Sequence, residues 1–370
     1  MERQMHRFAV LDGMRGLAAF VVIADHVPAP TIGPLTPGRY LAVDFFFVLS
    51  GFVLAHAYGR RLEAGFSPAA FLKARLIRLY PLYVAGLCLG ALLALLHMQE
   101  AWIHGNILKV LVVFTLGLFF IPCPPSFLPP DMALFPFDGP AWSLFFELAV
   151  NAVYAVFAAQ LFGIRLGALL AFAAALLAVL AVSSGTLDGG WKWPNFSAGA
   201  ARVAFSFFAG VAIYRLWSRR NLPGLHPAFA FAILAIVFAV PAEGAWRPVF
   251  DATAALVIFP ALVALSANSA PSEGAKRIFL TMGMLSYGVY VLHVPIYHLL
   301  RMGAGAIFHT QLEALGDGAI LLVLIGAAAA TSVAHVFYDV PVRRWLTRQM
   351  PFQDASRELN SQQHTTNAEA

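Results

Sequence analysis

The stretch that decides the fold is Phe8-Ala9-Val10-Leu11-Asp12-Gly13-Met14-Arg15-Gly16-Leu17-Ala18-Ala19-Phe20-Val21-Val22-Ile23-Ala24-Asp25-His26-Val27. A run of about twenty residues this apolar has the length of a helix that crosses a bilayer. Yet Asp12, Arg15, Asp25 and His26 stand inside it. Ionisable groups at membrane depth are costly and are kept where they serve a purpose, so the run predicts both a membrane span and a site.

The rest of the chain extends the pattern. Of its 370 residues 60% are hydrophobic and only 12% are charged, about half the charged share of a soluble domain. The mean hydropathy is +0.75. With 24 Lys and Arg and 19 Asp and Glu there is too little charge to coat a soluble protein of this size. An ordinary soluble enzyme is excluded, as are disordered and collagen-like classes. Cys88 and Cys123 are isolated and make neither a disulfide framework nor a zinc site. No basic-aromatic patch points to nucleic acid.

Further apolar runs lie at 41–58, 79–97, 140–162, 165–184, 200–217, 226–240, 248–267, 278–300 and 318–338, with a short eleventh at 107–121. Basic residues then arbitrate, because Lys and Arg collect in cytoplasmic loops. They gather at Arg3 and Arg7, at Arg60, Arg61, Lys73, Arg75 and Arg78, at Arg215, Arg219 and Arg220, at Lys276 and Arg277, and at Arg343, Arg344 and Arg348. The alternate loops hold single cations: Arg39, Lys192 and Arg247. Both termini are therefore expected inside, which requires an even number of crossings. The run at 107–121, followed by Pro124-Pro125 and Pro129-Pro130, is the weakest. It is assigned to a re-entrant or interfacial segment on the outer side.

The expectation is an all-α integral membrane protein of about ten transmembrane helices with both termini cytoplasmic. The first run is retained rather than cleaved, since no small-residue cleavage site follows it. Residues 1–350 form one membrane domain and the polar residues 351–370 a disordered cytoplasmic tail.

The polar residues at membrane depth are the candidate site. Arg15 and His26 are eleven residues apart, about three turns, so both leave one helix face about 16 Å apart along the axis. The plainer alternative is an Arg paired with Asp12 and a His among headgroups. Asp44 is expected near the level of His26, where a carboxylate can orient an imidazole. Ser50-Gly51 reads as a close-packing spot. Arg75 and Arg78 share a helix face and can grip phosphates with forked hydrogen bonds. Anchoring on anionic lipid is the alternative. Glu147 falls about two turns into its span, with Asn151 on the same face, and needs His26 or an Arg as partner. Ser286, Tyr290 and His293 share a face, and packing is the simpler role for Tyr290. Asp339 is expected to pair with a following Arg. No spacing of His and carboxylates makes a metal site.

In these residues the chain resembles the acyltransferase family 3 membrane proteins. The resemblance rests on Leu-Asp-Gly-x-Arg-Gly-Leu-Ala at 11–18 and on Arg15, ten residues, His26. It continues through Phe-Phe-Val-Leu-Ser-Gly-Phe at 46–52, Arg75 and Arg78 before Tyr80-Pro81, Trp142-Ser143-Leu144 with Glu147, and Ser286-Tyr287-x-x-Tyr290-x-Leu292-His293. It runs in order to about Arg344. Two departures stand out. Asp339 takes the place of a more usual Glu, and Phe145-Phe146 replaces small and aliphatic residues before Glu147.

The resemblance implies a multi-pass enzyme of the bacterial inner membrane. It would move an acyl group, acetyl the expected one, from acyl-CoA to a hydroxyl of a carbohydrate or glycolipid acceptor. It implies His26 as catalytic base, Arg15 as its essential partner, and Arg75 and Arg78 as contacts to the CoA phosphates. Asp44 or Glu147 would support the base, and Trp142, Tyr290 and His293 would contact substrate. No metal is implied. The rival is a proton-coupled carrier or flippase, which also uses intramembrane His, Glu and Arg. Against it stands the lack of any internal repeat.

Overall fold

In a computed structural model of the protein, residues 8–96, 106–129, 131–241 and 243–349 are described. The expected tail at 351–370, and Arg3 and Arg7, lie outside them. The described residues form helices and connecting segments without a β-strand. In chain order the helices are α1 (Ala9–His26), α2 (Ile32–Leu35), α3 (Ala42–Glu63), α4 (Pro68–Leu96), α5 (Ile107–Leu118), α6 (Ala141–Phe157) and α7 (Gly163–Ser184). Then come α8 (Phe196–Trp217), α9 (Pro227–Ala239), α10 (Arg247–Thr253), α11 (Phe259–Ser266), α12 (Glu273–Phe308), α13 (Gly318–Ala334) and α14 (Val340–Arg348). A π turn at Ala254–Ile258 joins α10 to α11, and another at His335–Asp339 joins α13 to α14.

Seven helical segments are long and apolar enough to cross a membrane: α3, α4, α7, α8, α10 with α11, α12, and α13 with α14. Of the remaining expected spans, α1 carries Asp12, Arg15 and Asp25, and α6 and α9 have 17 and 13 residues. The surface is what a bilayer demands. α7 leaves Ile164, Phe172, Val179 and Val182 exposed, and Phe308 and Phe337 stand out elsewhere. Apolar surface on this scale is stable only against lipid or another apolar partner.

Small residues set the helix pairs. Gly13 and Gly16 on α1 meet Phe279 and Met282 on α12, and Gly283 of α12 faces Asp12. These contacts continue to His26 against His293, so α1 and α12 run parallel. α3 and α8 run parallel too and touch backbone to backbone. A Cβ at Gly51 would run into the carbonyl oxygen of Phe207, and one at Gly210 into that of Val48. With no hydrophobic drive between helices in lipid, such close approach is what holds them.

The same pair carries a buried ion pair. Asp44 on α3 and Arg202 on α8 are 0% and 1% exposed. Arg202 Nη2 lies 2.7 Å from Asp44 Oδ2 and its Nε donates at 3.1 Å to Oδ1. The guanidinium also donates to the carbonyls of Gly189 at 2.7 Å and Tyr40 at 2.8 Å. Asp44 is thus spent on Arg202 and makes no contact with His26. An unpaired carboxylate there would be prohibitive, and Arg202 is the cation the fold supplies.

α5 packs its C-terminal end against the middle of α4: Tyr80 and Tyr83 donate to the carbonyls of Leu118 and Gly117 at 2.9 and 2.7 Å. The chain then turns back, and Cys123 and Leu134 pair through their backbones at 2.9 Å. Asp339 pairs with Arg343, as the sequence led one to expect.

Two outcomes follow for purified protein in detergent. Arg202→Met strands Asp44 in the interior and is expected to lower unfolding stability by about 3–5 kcal/mol. Pairing it with Asp44→Asn should recover most of that loss. An Arg202→Met protein with the wild-type denaturation midpoint would show that the pair is dispensable. Gly51→Leu forces α3 from α8 and should cost about 1–3 kcal/mol or more, whereas Leu at Gly33, which has open space around it, should change the midpoint little.

Candidate active site

A cavity of about 350 Å³ opens between α1, α3, α4, α6 and α12, within the usual range for small-molecule sites. Phe46, Phe47, Leu49, Val53 and Leu144 supply apolar wall. Its polar groups come from five helices: Asp12 and Arg15 on α1, Ser50 and His56 on α3, Arg75 and Arg78 on α4, Glu147 on α6, and Ser286 and Tyr290 on α12. Arg15, Arg75, Arg78 and Glu147, picked from the sequence over a span of more than a hundred residues, therefore share one cavity.

Arg15 is held from three directions. It pairs with Asp12 at 2.9 Å, donates through Nε to Ser286 Oγ at 2.9 Å, and donates through Nη2 to the Gly283 carbonyl at 2.6 Å. Its pairing with Asp12 is the plainer alternative of the sequence reading. The bonds to α12 are additional and aim the guanidinium along the cavity wall.

Glu147 takes Arg75 as its partner at 2.8 Å and accepts from Ser50 Oγ at 2.8 Å. It does not approach His26. Arg75 is therefore already neutralised. Arg78 is different: it has no ion pair or hydrogen bond among the described residues, and its guanidinium stands 5.7 Å from the Tyr287 ring centroid. Tyr287 in turn donates to the Leu79 carbonyl at 2.5 Å, tying α12 to α4. Of the two arginines chosen from the sequence, Arg78 is the one whose charge has no partner among the described residues.

His26 does not line this cavity. It stands at the C-terminal end of α1, half-buried, and its partner is His293 of α12, with His293 Nε2 3.1 Å from His26 Nδ1. The rings meet edge to face with centroids 4.8 Å apart. His293 is fully buried and faces His26 rather than the cavity. Tyr290 joins the two regions. It lines the cavity, bonds Ser143 Oγ at 2.7 Å, meets the Phe46 ring edge-on at 5.5 Å, and has its ring 6.2 Å from that of His293. Trp142 lies off the cavity wall, with the Arg202 guanidinium 5.5 Å from its ring.

Near His26, the carboxylate of Asp317, in the segment before α13, accepts from the backbone N–H groups of Ile32 and Thr31 at 3.0 and 3.1 Å. These two donors hold its carboxyl below the ordinary range. Arg39 pairs with Asp25 at 2.9 Å. The segment after His26 is thereby tied down on both sides.

Sequence reasoning passed over Arg202, Ser50 as a bonding partner, and His56. Arg202 carried a usable signal, since a lone Arg inside an apolar run must find a carboxylate. His56 carried none. No group of His, Cys, Asp and Glu among the described residues is arranged to hold a metal ion.

Residues 8–339 match the family model described as an acyltransferase domain. Over 163 residues, 42% of this chain, the sequence is 47% identical to "Protein 2 in picA locus" of Rhizobium radiobacter, covering 84% of that protein. It is 22% identical over 95% of both chains to "Acyltransferase MdmB" of Streptomyces mycarofaciens. No solved structure matches. The carrier alternative loses its ground with this placement. The matched region takes in α1 with its Arg15 and His26, the cavity arginines and the α12 histidine, and the chain belongs to the acyltransferase family 3, an enzyme family that transfers acyl groups.

Proposed function

We propose that the protein is a multi-pass O-acyltransferase of the bacterial inner membrane that carries an acyl group, acetyl the expected one, from acyl-CoA to a hydroxyl of a carbohydrate or glycolipid. The observation that carries this reading is the arrangement along α1. An arginine-lined cavity lies at one end and a histidine pair at the other, with Tyr290 between them.

Topology supports it. Contacts give the helices alternating directions. α1 and α12 run one way, with Gly16 on Met282 and His26 on His293, and α4 runs with them, with Leu79 at Tyr287 and Gly86 at Val291, while α6 runs against α4, with Arg75 at Glu147 and Gly86 at Asp138 just before α6. α13 runs against α12, with Gly288 on Thr331 and Gly326 on Ile296. Counting α10–α11 and α13–α14 as single passes and α5 as a re-entrant hairpin gives ten crossings. The basic ends of α3, α4, α8 and α12 then all face the cytoplasm, as do both termini.

In this reading Arg78 contacts the CoA phosphates, with Arg75 beside it exchanging Glu147 for phosphate. Arg15 faces the pantetheine arm, and the apolar wall built by Phe46, Phe47 and Leu144 excludes water from it. Tyr290 borders the substrate path. Trp142 acts behind the site, through Arg202 and Asp44, rather than on substrate. His26 is the general base. It takes the proton of the acceptor hydroxyl as that oxygen attacks the thioester carbonyl. The C–S bond breaks, and the proton passes to the departing thiolate, giving an ester and free CoA.

Two measurements on purified protein in lipid nanodiscs test this. His26→Ala, expressed and monodisperse like wild type, is expected to lose transfer from labelled acetyl-CoA by about 10²–10⁴-fold. Retained transfer would remove His26 from the role of base. Arg78→Gln is expected to raise the apparent KM for acyl-CoA about tenfold, as loss of a charge-assisted phosphate contact worth about 1.4 kcal/mol. The exposed Arg220→Gln serves as control, and an equal effect of the two would overturn the phosphate contact.

A further inference from the structure

The hydrogen bonds around the histidine pair fix where its protons are. His293 Nδ1 lies 2.8 Å from the carbonyl oxygen of Tyr290 and 3.1 Å from that of Val289. A carbonyl oxygen only accepts, so Nδ1 must carry a hydrogen. A neutral imidazole has one N–H, which leaves Nε2 of His293 as a bare acceptor. Facing it at 3.1 Å is Nδ1 of His26, which must then be the donor. The carbonyl of Val22, 3.3 Å from the same atom, accepts the same proton and agrees with this sense. His26 is left with its lone pair on Nε2, the nitrogen turned away from His293.

The opposite assignment would need His293 doubly protonated. That places an imidazolium in a fully buried position with no carboxylate bonded to it among the described residues, where no counter-charge offsets its desolvation. The neutral chain of donors has no such defect, and both nitrogens of His293 and Nδ1 of His26 find complementary partners.

We propose that His293 is a positioning residue that holds His26 in the Nδ1–H tautomer and so presents the bare Nε2 of His26 to the acceptor hydroxyl. The proposal rests on the reading of His26 as base and assigns to His293 a task that does not require it to touch substrate. The device is built by helix geometry. Val289 and Tyr290 lie four and three residues before His293, so α12 bonds its own side chain from the preceding turn. The parallel packing of α1 then lays His26 against it.

The test is nitrogen NMR of protein labelled with ¹⁵N-histidine in lipid nanodiscs. His26 and His293 are identified among the 11 histidines by difference spectra against His26→Ala and His293→Phe. In wild type His26 is expected to show a protonated Nδ1 and a bare Nε2, and His293 the same tautomer. In His293→Phe the His26 signals should move to a mixture of tautomers, and kcat should fall about 10–100-fold while the KM for acyl-CoA stays near wild type. His293→Gln, whose amide oxygen can accept from His26, should retain most of kcat. A wild-type spectrum with the His26 proton on Nε2, or with His293 as an imidazolium, would overturn the proposal even if the Phe variant failed to fold. An unchanged kcat in a folded His293→Phe protein would overturn it too. The tautomer reading needs no turnover, so its failure is distinct from failure of acyl transfer.

Discussion

The parallel packing of α1 against α12 is the constraint on which the site depends. Arg15 and His26 leave one face of α1, and both end on α12: one on Ser286 and the Gly283 carbonyl, the other on His293. Neither contact survives if the helices move apart by the width of a methyl group. Gly13 and Gly16 lie so close to Phe279 and Met282 that a Cβ would collide. The motif glycines beside Arg15 are thus part of its geometry. They let a polar side chain on one helix reach a backbone carbonyl on the next, which in lipid has no water to turn to.

Around that pair the charges sort by partner. Asp44 is closed off by Arg202, Glu147 by Arg75 and Ser50, Asp12 by Arg15, and Asp25 by Arg39. Each pairing lowers the cost of holding an ion away from water, and each joins two helices or two turns. The Asp44–Arg202 pair is a buried clamp between α3 and α8 and does not line the cavity. The Glu147–Arg75 pair lines the cavity and is accessible to an incoming anion. What separates the two pairs is access rather than residue type.

Much of this was legible in the sequence because helical periodicity is local. The shared face of Arg15 and His26 and the shared face of Ser286, Tyr290 and His293 follow from 3.6 residues per turn, and the tight spot at Gly51 from the small side chains of Ser50-Gly51. Choosing partners is not local. The sequence offered Asp44 and Glu147 as supports for His26, since a carboxylate is the common companion of a catalytic imidazole. The fold instead spends both on arginines and gives His26 an imidazole from α12, 267 residues away. Periodicity shows which residues face inward and leaves open which helix they face. The cation in the apolar middle of the α8 run, Arg202, was the clue that one of the carboxylates was already taken.

The separation between cavity and histidine pair has a chemical consequence for the acyl-transfer reading. Tyr290 stands at the boundary, fixed by Ser143 and by the edge of Phe46, so the arginine-lined cavity and His26 are distinct compartments of one helix pair. In that reading a thioester entering on the arginine side would reach His26 past the Tyr290 ring, and an acceptor hydroxyl would approach from the end where α1 stops at His26. Two substrates of opposite character, one a water-soluble nucleotide thioester and one a carbohydrate, then need not share an entrance. In that reading, a ring held between the two regions would also shield the donor from water on the His26 side, guarding it against hydrolysis.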